Sequence, residues 1–222
     1  MCRNRDAITQ FIEYFRGHIA ELDAVLPLLY RKILYATALD PLARAAFGAT
    51  DKHRKRIIRL VDELIDWNDK HRLSLPQLAL ALEQQNHTSG QLYQDVQQRL
   101  SHWAPGTVLR LTDSPLLSEL EPLADRAETS LLAATRYAEL FYTYRNNLIH
   151  EFREPGYGIE MSTDKDQPYY TSMIDGPWQL VFPVGFFARL YQQALSGLES
   201  FLVRTDLDPY SQFEFGSLWR PR

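Results

Sequence analysis

Residues 137–150 read YAELFYTYRNNLIH and carry the pattern that decides the fold. Tyr137, Phe141, Tyr144 and Leu148 recur every three or four residues, which is the spacing of one buried face of an α-helix. The polar residues between them fall on the other faces. The stretch therefore predicts an amphipathic helix, and the rest of the chain can be interpreted around it.

The predicted helical region around this stretch runs from Ser118 to about Phe152, with a possible break near Pro122, and residues 155–158 (Pro-Gly-Tyr-Gly) terminate it. Helical spacing recurs along most of the chain. Further helices are predicted over residues 6–39 with a kink or break at Pro27, over 40–47 opened by Pro41, and over 51–67, 75–85, 89–103 and 184–203. Residues 104–115 are predicted to form a loop.

A small β-hairpin is predicted at about residues 168–183, because β-forming residues 169–174 and 178–182 flank Asp175-Gly176. The sequence therefore predicts an all-α fold, a helical bundle with this hairpin inserted before its last long helix. We expect one domain over residues 1–204 and an extended tail over residues 205–222.

Composition limits the function classes. The 222 residues carry a formal net charge of −4, whereas a protein that coats long nucleic acids usually has a basic surplus. A local basic site for one phosphate stays possible. Cys2 is the single cysteine, so an intrachain disulfide is excluded. No apolar run approaches the roughly 20 residues of a membrane helix, and the first residues lack the apolar core of a secretory signal. We therefore expect a soluble cytoplasmic protein without a membrane partner.

Arg145 and His150 combine the two groups that cleave RNA without a metal. Histidine titrates near neutral pH and can take the proton of the ribose 2′-hydroxyl. Arginine stays charged and its planar fork matches phosphate oxygens. On an α-helix, however, residues five apart diverge by roughly 140°. Asn146 and His150, four apart, share a ridge. The alternative is structural: cations near a helix C-terminus complement the dipole, and Asn146 can bond a neighbour.

The string from Tyr144 to Gly156 resembles the Arg-Asn-x3-His signature of the HEPN superfamily, in which the motif also lies late in a helix of an α-bundle. Many members are metal-independent endoribonucleases that act as toxins or abortive-infection effectors in prokaryotic defence. Their sites commonly form where two copies of the motif meet across a homodimer. Other members are inactive binding or scaffolding modules.

The resemblance implies a role for each motif residue. Arg145 would bind the scissile phosphate, His150 would act as general base or acid, and Asn146 would orient His150 or contact the phosphate. RNA, a second copy of the chain and an antitoxin or defence partner are the implied partners, and no cofactor is implied. Phe152 stands where some members carry a tyrosine that a partner enzyme modifies, so that control does not transfer. The alternatives are an inactive HEPN module that binds RNA, nucleotide or protein, and a structural helical adaptor.

Other residues are candidates for RNA or phosphate contacts. Arg153 can reinforce the phosphate site, pair with Glu154 or cap carbonyls at the helix end, and Tyr157 can stack on a base. A basic cluster at the start of a predicted helix can guide phosphates or form a solvated face; it comprises Lys52, Arg54, Lys55 and Arg56. The histidines show no pairing at metal-ligand spacing, so no metal site is predicted.

Overall fold

The computed structural model describes residues 2–158, 160, 166–173 and 176–213. The protein is mainly helical with one small antiparallel sheet, as the sequence predicts. The chain divides into two compact units: unit 1 comprises Met1–Asp66 and Phe187–Arg222, and unit 2 comprises Trp67–Phe186. The predicted domain over residues 1–204 spans parts of both. In the part that the structure describes, no helix is both long and apolar enough to cross a bilayer.

Unit 1 joins helices from the two ends of the chain. Its aromatic core includes Tyr35 and Tyr191, whose ring centroids lie 5.5 Å apart, and Tyr191 donates a hydrogen bond to the Phe15 carbonyl. Its helices are α1 (Arg5–Gly17), α2 (Ile19–Ala24), α3 (Leu28–Phe47), α4 (His53–Arg59) and, from Phe187 onward, α10 (Val184–Thr205).

Two predicted boundaries in unit 1 were wrong. Pro41 does not open a new helix but lies inside α3, because the buried Leu39 and Leu42 around it pack on one continuous face and compensate for the lost backbone bond. The helix predicted to reach residue 67 instead passes from α4 into a π turn (Leu60–Leu64) and ends at Ile65, where the backbone becomes extended.

The C-terminal residues of unit 1 differ in part from the extended tail that the sequence predicts. After α10, Asp208 caps a short 3-10 turn (Pro209–Gln212) by accepting a hydrogen bond from the backbone N–H of Tyr210. The rest of the predicted tail, residues 214–222, lies outside the described residues.

Unit 2 consists of short helices beside a sheet. Its helices are α5 (Leu75–Gln84), α6 (Gln91–Ser101), α7 (Leu117–Leu120), α8 (Thr129–Ala134) and α9 (Tyr137–Asn146). Leu78, Leu92, Leu120 and Leu132 belong to one apolar cluster that joins the first four of these helices.

The sheet confirms the predicted hairpin and adds a strand. Strands β2 (Tyr169–Thr171) and β3 (Gln179–Val181) pair antiparallel, with Tyr170 opposite Leu180. Ile174, the end of the first predicted strand, and Asp175 of the predicted turn lie outside the described residues. Strand β1 (Val108–Arg110) pairs antiparallel with β2 inside the segment predicted as a loop. Three residues are too few to show the alternation that identifies a strand.

The helical region predicted from Ser118 to Phe152 has the expected break near Pro122: α7 ends at Leu120, a 3-10 turn (Glu121–Leu123) follows, and α8 begins at Thr129. A second interruption, which the sequence did not predict, lies at Thr135 and Arg136, because the Thr135 carbonyl and the Tyr137 N–H bond to another segment. Ser74 N–H donates to the Thr135 carbonyl, and Tyr137 N–H donates to the Arg72 carbonyl, both at 3.0 Å. These bonds end α8 and start α9 at Tyr137.

Gly197 of α10 provides a test of packing in unit 1. A Cβ at this position would come 1.9 Å from the Leu64 carbonyl oxygen, whereas a Cβ on Gly17 meets nothing within 4 Å. We expect Gly197→Ala to lower the free energy of unfolding by about 1–3 kcal/mol through overpacking. Gly17→Ala is the matched control and should leave it nearly unchanged. Urea unfolding measures both, and equal effects would contradict this account of the packing.

Candidate active site

The candidate motif lies at the C-terminal end of α9, where the helix widens. Asn147–Glu151 form a π turn, and the Phe152 N–H donates to the Asn147 carbonyl five residues earlier. Phe152 then takes a left-handed conformation, with φ 58°, and ends the helix. Such widened turns occur often at functional sites.

The π turn changes the directions of the motif side chains. One extra residue in a turn rotates the residues after it back by about 100°, the angle that one residue occupies in an α-helix. The divergence between Arg145 and His150 is therefore smaller than the roughly 140° of a regular α-helix, although Arg145 is buried and His150 is exposed. The argument from regular helix geometry, which separated these two residues, does not hold for this turn.

Arg145 is buried. Its side chain is only 1% exposed, and its Nη1 donates a hydrogen bond to the Asn146 Oδ1 at 3.0 Å. This bond fixes the orientation of the Asn146 carboxamide and turns its Nδ2 away from Arg145. Within the described chain Asn146 Nδ2 makes no hydrogen bond. Asn147, in contrast, donates from Nδ2 to the Thr143 carbonyl.

His150 is exposed on the last turn. Its imidazole forms no hydrogen bond or ion pair with any residue that the structure describes. Arg153 lies just beyond it and pairs with Glu151 at 2.5 Å, rather than with Glu154. Both partners of that pair are half-exposed, so Arg153 is available at the surface only in competition with Glu151.

Tyr144 and Glu154 form a separate contact beneath the turn. The Tyr144 hydroxyl donates to the Glu154 carboxylate. Burial raises the pKa of the Tyr144 phenol well above its ordinary value, and the neighbouring carboxylate adds to the rise. Tyr144 therefore stays protonated and serves as a donor, not as a base.

Tyr157 is placed where a stacking residue could act. Its ring is 92% exposed, and its backbone N–H donates to Gln179 Oε1 at 3.1 Å, which ties the loop to β3. The other aromatic residues after the motif mostly pack: Tyr169, Tyr170 and Phe182 are buried. Of the candidates for base stacking, the structure therefore leaves Tyr157 the most accessible.

The basic cluster lies in unit 1, and two of its four residues contact Asp51. Lys55 pairs with Asp51 at 2.8 Å, and Arg56 donates to the Asp51 carbonyl. Lys52, the residue before α4, and Arg54 are exposed. The contacts thus favour the solvated helix face over a phosphate guide for Lys55 and Arg56.

A group that the sequence does not predict comes together in unit 2. One ligand atom each from His87, Asp125 and Glu128 lies within 4.8 Å of the other two. Spacing along the chain could not reveal it, because almost forty positions separate the histidine from the carboxylates. No local pattern pairs these residues.

Comparison of the sequence with protein-family models, with curated proteins and with solved structures gives no match. The HEPN resemblance therefore stays a prediction that depends on the motif.

Arg145 and Arg153 form a matched pair for a stability test. Arg145→Ala should lower the free energy of unfolding by about 2–4 kcal/mol, because it leaves a cavity and removes the donor to Asn146. Arg153→Ala removes only an exposed ion pair and should change it by less than about 0.5 kcal/mol. Chemical denaturation followed by tryptophan fluorescence measures both. Similar losses for the two variants would show that Arg145 is not a packed residue.

Proposed function

We propose that the chain is a metal-independent endoribonuclease of the HEPN type, with His150 as its acid–base group. One observation carries the proposal: His150 is an exposed imidazole on a helix end, one turn after Asn146, and none of the described residues hydrogen-bonds to it. A catalytic base must be reachable by its substrate and must not be engaged elsewhere. His150 meets both conditions.

The reaction that suits these groups is attack by the ribose 2′-hydroxyl on the adjacent phosphate. The neutral His150 takes the hydroxyl proton, the 2′-oxygen bonds to phosphorus, and the bond from phosphorus to the 5′-oxygen breaks. A proton from an imidazolium or water completes the 5′-hydroxyl. The products are a 2′,3′-cyclic phosphate and a 5′-hydroxyl end.

The burial of Arg145 assigns it a different role from the one that the motif implies. A guanidinium that is 1% exposed does not contact a phosphate directly in this conformation. It instead holds Asn146 Oδ1 and leaves Nδ2 to donate to a phosphate oxygen. In this proposal Arg145 is a positioning residue, and Asn146 and His150 contact RNA.

The proposal includes a homodimer, which the HEPN resemblance implies. A second motif facing the first would bring another Asn146 and His150 to the site. A toxin or defence role, held in check by a partner protein, is part of the same proposal and follows from the resemblance alone.

The second candidate function is an inactive HEPN module that binds RNA, nucleotide or protein. The burial of Arg145 and its bond to Asn146 favour it, because a buried arginine is also what a purely structural residue would look like. The two candidates differ in whether His150 is required for cleavage.

RNA cleavage in the presence of EDTA tests the assignment. His150→Ala should lower the rate by about 10²–10⁴-fold, the usual contribution of a positioned base or acid. His102→Ala, which removes another exposed imidazole of unit 2, is the matched control and should cleave like the unmodified chain. If His150→Ala cleaves at the full rate, or if the unmodified protein cleaves no RNA, the non-catalytic module is the better description.

Mixing two inactive variants tests the composite site. Asn146→Ala and His150→Ala each remove one contact, and both should fold because the changed side chains are not fully buried. If the site takes Asn146 from one copy and His150 from the other, a mixture of the two variants regains part of the activity after subunit exchange. A mixture that stays inactive, although light scattering shows mixed dimers, places both residues of each site on one chain.

A further inference from the structure

A cluster of metal-binding side chains lies in unit 2, on the loop after α5 and on the turn before α8. His87 follows Asn86, whose left-handed backbone (φ 61°) reverses the chain after α5. Asp125 and Glu128 lie just before α8. The fold therefore brings an imidazole and two carboxylates together from segments far apart in sequence.

The two carboxylates also form a capping box, which uses one oxygen of each. Asp125 Oδ1 accepts hydrogen bonds from the N–H groups of Ala127 and Glu128, at 2.7 and 2.8 Å. Glu128 Oε2 accepts a hydrogen bond from the Asp125 N–H at 2.9 Å. These bonds account for the shape of the turn. They do not use Asp125 Oδ2 and Glu128 Oε1, which can therefore serve as metal ligands.

Glu128 Oε1 is an oxygen that the capping box does not explain. The Glu128 side chain is only 4% exposed, and its Oε1 lies 3.6 Å from His87 Nδ1, which is too long for a hydrogen bond. From the described residues this oxygen accepts no hydrogen bond. A carboxylate on a buried side chain is costly unless a cation or donors compensate it, and the imidazole of His87 supplies a charge only when it is protonated.

The separations suit a bound cation. Ligand atoms about 2.0–2.2 Å from a tetrahedral zinc ion lie about 3.4 Å from one another. The separation of His87 Nδ1 and Glu128 Oε1, 3.6 Å, is close to that value. One ligand atom from each of the three residues, Asp125 included, lies within 4.8 Å of the other two.

We propose that His87, Asp125 and Glu128 bind one divalent transition-metal ion of the zinc class. The mixture of one imidazole nitrogen with carboxylate oxygens suits zinc better than magnesium, which prefers oxygen ligands alone and keeps its waters. Two carboxylates balance the charge of the ion. Water completes the coordination, because the chain supplies three ligands.

Such an ion would join the loop after α5 to the start of α8, and so stabilise the folded form that holds the ligands together. Gly90, at the start of α6, lies against the same oxygen: a Cβ there would come 3.0 Å from Glu128 Oε1. Because the Gly90 backbone comes this close, it leaves little room beside Glu128 Oε1 for a positively charged side chain.

Titration calorimetry of tag-free, EDTA-treated and dialysed full-length protein tests the proposal, with Zn²⁺ and Mg²⁺ as probes. We expect one Zn²⁺ per chain, a higher melting temperature with Zn²⁺ than with Mg²⁺, and a loss of more than about 10-fold in Zn²⁺ affinity for His87→Ala, since even outer-shell changes cost that much. Glu128→Gln should show a similar loss. It keeps the capping box, because glutamine serves as well at this position, so it separates metal binding from folding.

His102→Ala is the matched control: His102 is exposed in unit 2, bonds to the Gln98 carbonyl, and should not affect Zn²⁺ binding. No Zn²⁺ uptake, or uptake that His87→Ala and Glu128→Gln leave unchanged, would overturn the proposal. His87 and Glu128 would then be an ion pair beside a helix cap. The result does not depend on RNA cleavage in EDTA, so this proposal and the proposed function fail separately.

Discussion

The conformation of the candidate motif depends on two backbone hydrogen bonds that join residues 72–74 to residues 135–137. They satisfy N–H and carbonyl groups that a continuous helix would have bonded internally, and so they interrupt the helix before Tyr137. The start of α9 then fixes which of its faces is buried. Phe141, Tyr144 and Leu148 point into the core of unit 2, and Asn146 and His150 point away from it. The exposure of the catalytic candidates thus follows from a contact far from them in sequence.

The widened turn and the buried arginine alter what the motif can do. A motif specifies residue types and spacing, but the chemistry depends on which atoms reach the surface. Arg145 has the charge that a phosphate requires, yet the fold places that charge inside, where it holds the Asn146 carboxamide. The π turn meanwhile reduces the divergence between Arg145 and His150. The geometry supports a relay from a buried cation through an amide to the surface more directly than it supports a cationic clamp.

Much of the fold was accessible from the sequence because it depends on local periodicity. The helical character, the hairpin strands Tyr169–Thr171 and Gln179–Val181, and the long last helix follow from apolar spacing and turn residues. The errors occur where non-local contacts decide: β1 forms only because β2 lies beside it, and α9 begins at Tyr137 only because Arg72 accepts its N–H. For the same reason the exposure of His150 was predictable from the helix face, whereas the burial of Arg145 was not.

The two histidines of interest show why spacing finds one kind of site and misses another. His150 shares one helix with Asn146, so the sequence reveals their relation, and the exposed ring retains freedom to exchange protons with a substrate. His87 faces a carboxylate contributed by another segment. Its Nδ1 lies 3.6 Å from Glu128 Oε1, and the other oxygen of that carboxylate, Oε2, accepts a hydrogen bond in a helix cap. In the two proposals, His87 would help to hold an ion and His150 would contact RNA. The two proposals therefore differ in what supplies the partner: an RNA substrate would supply it at His150, whereas a bound ion would compensate the Glu128 carboxylate beside His87.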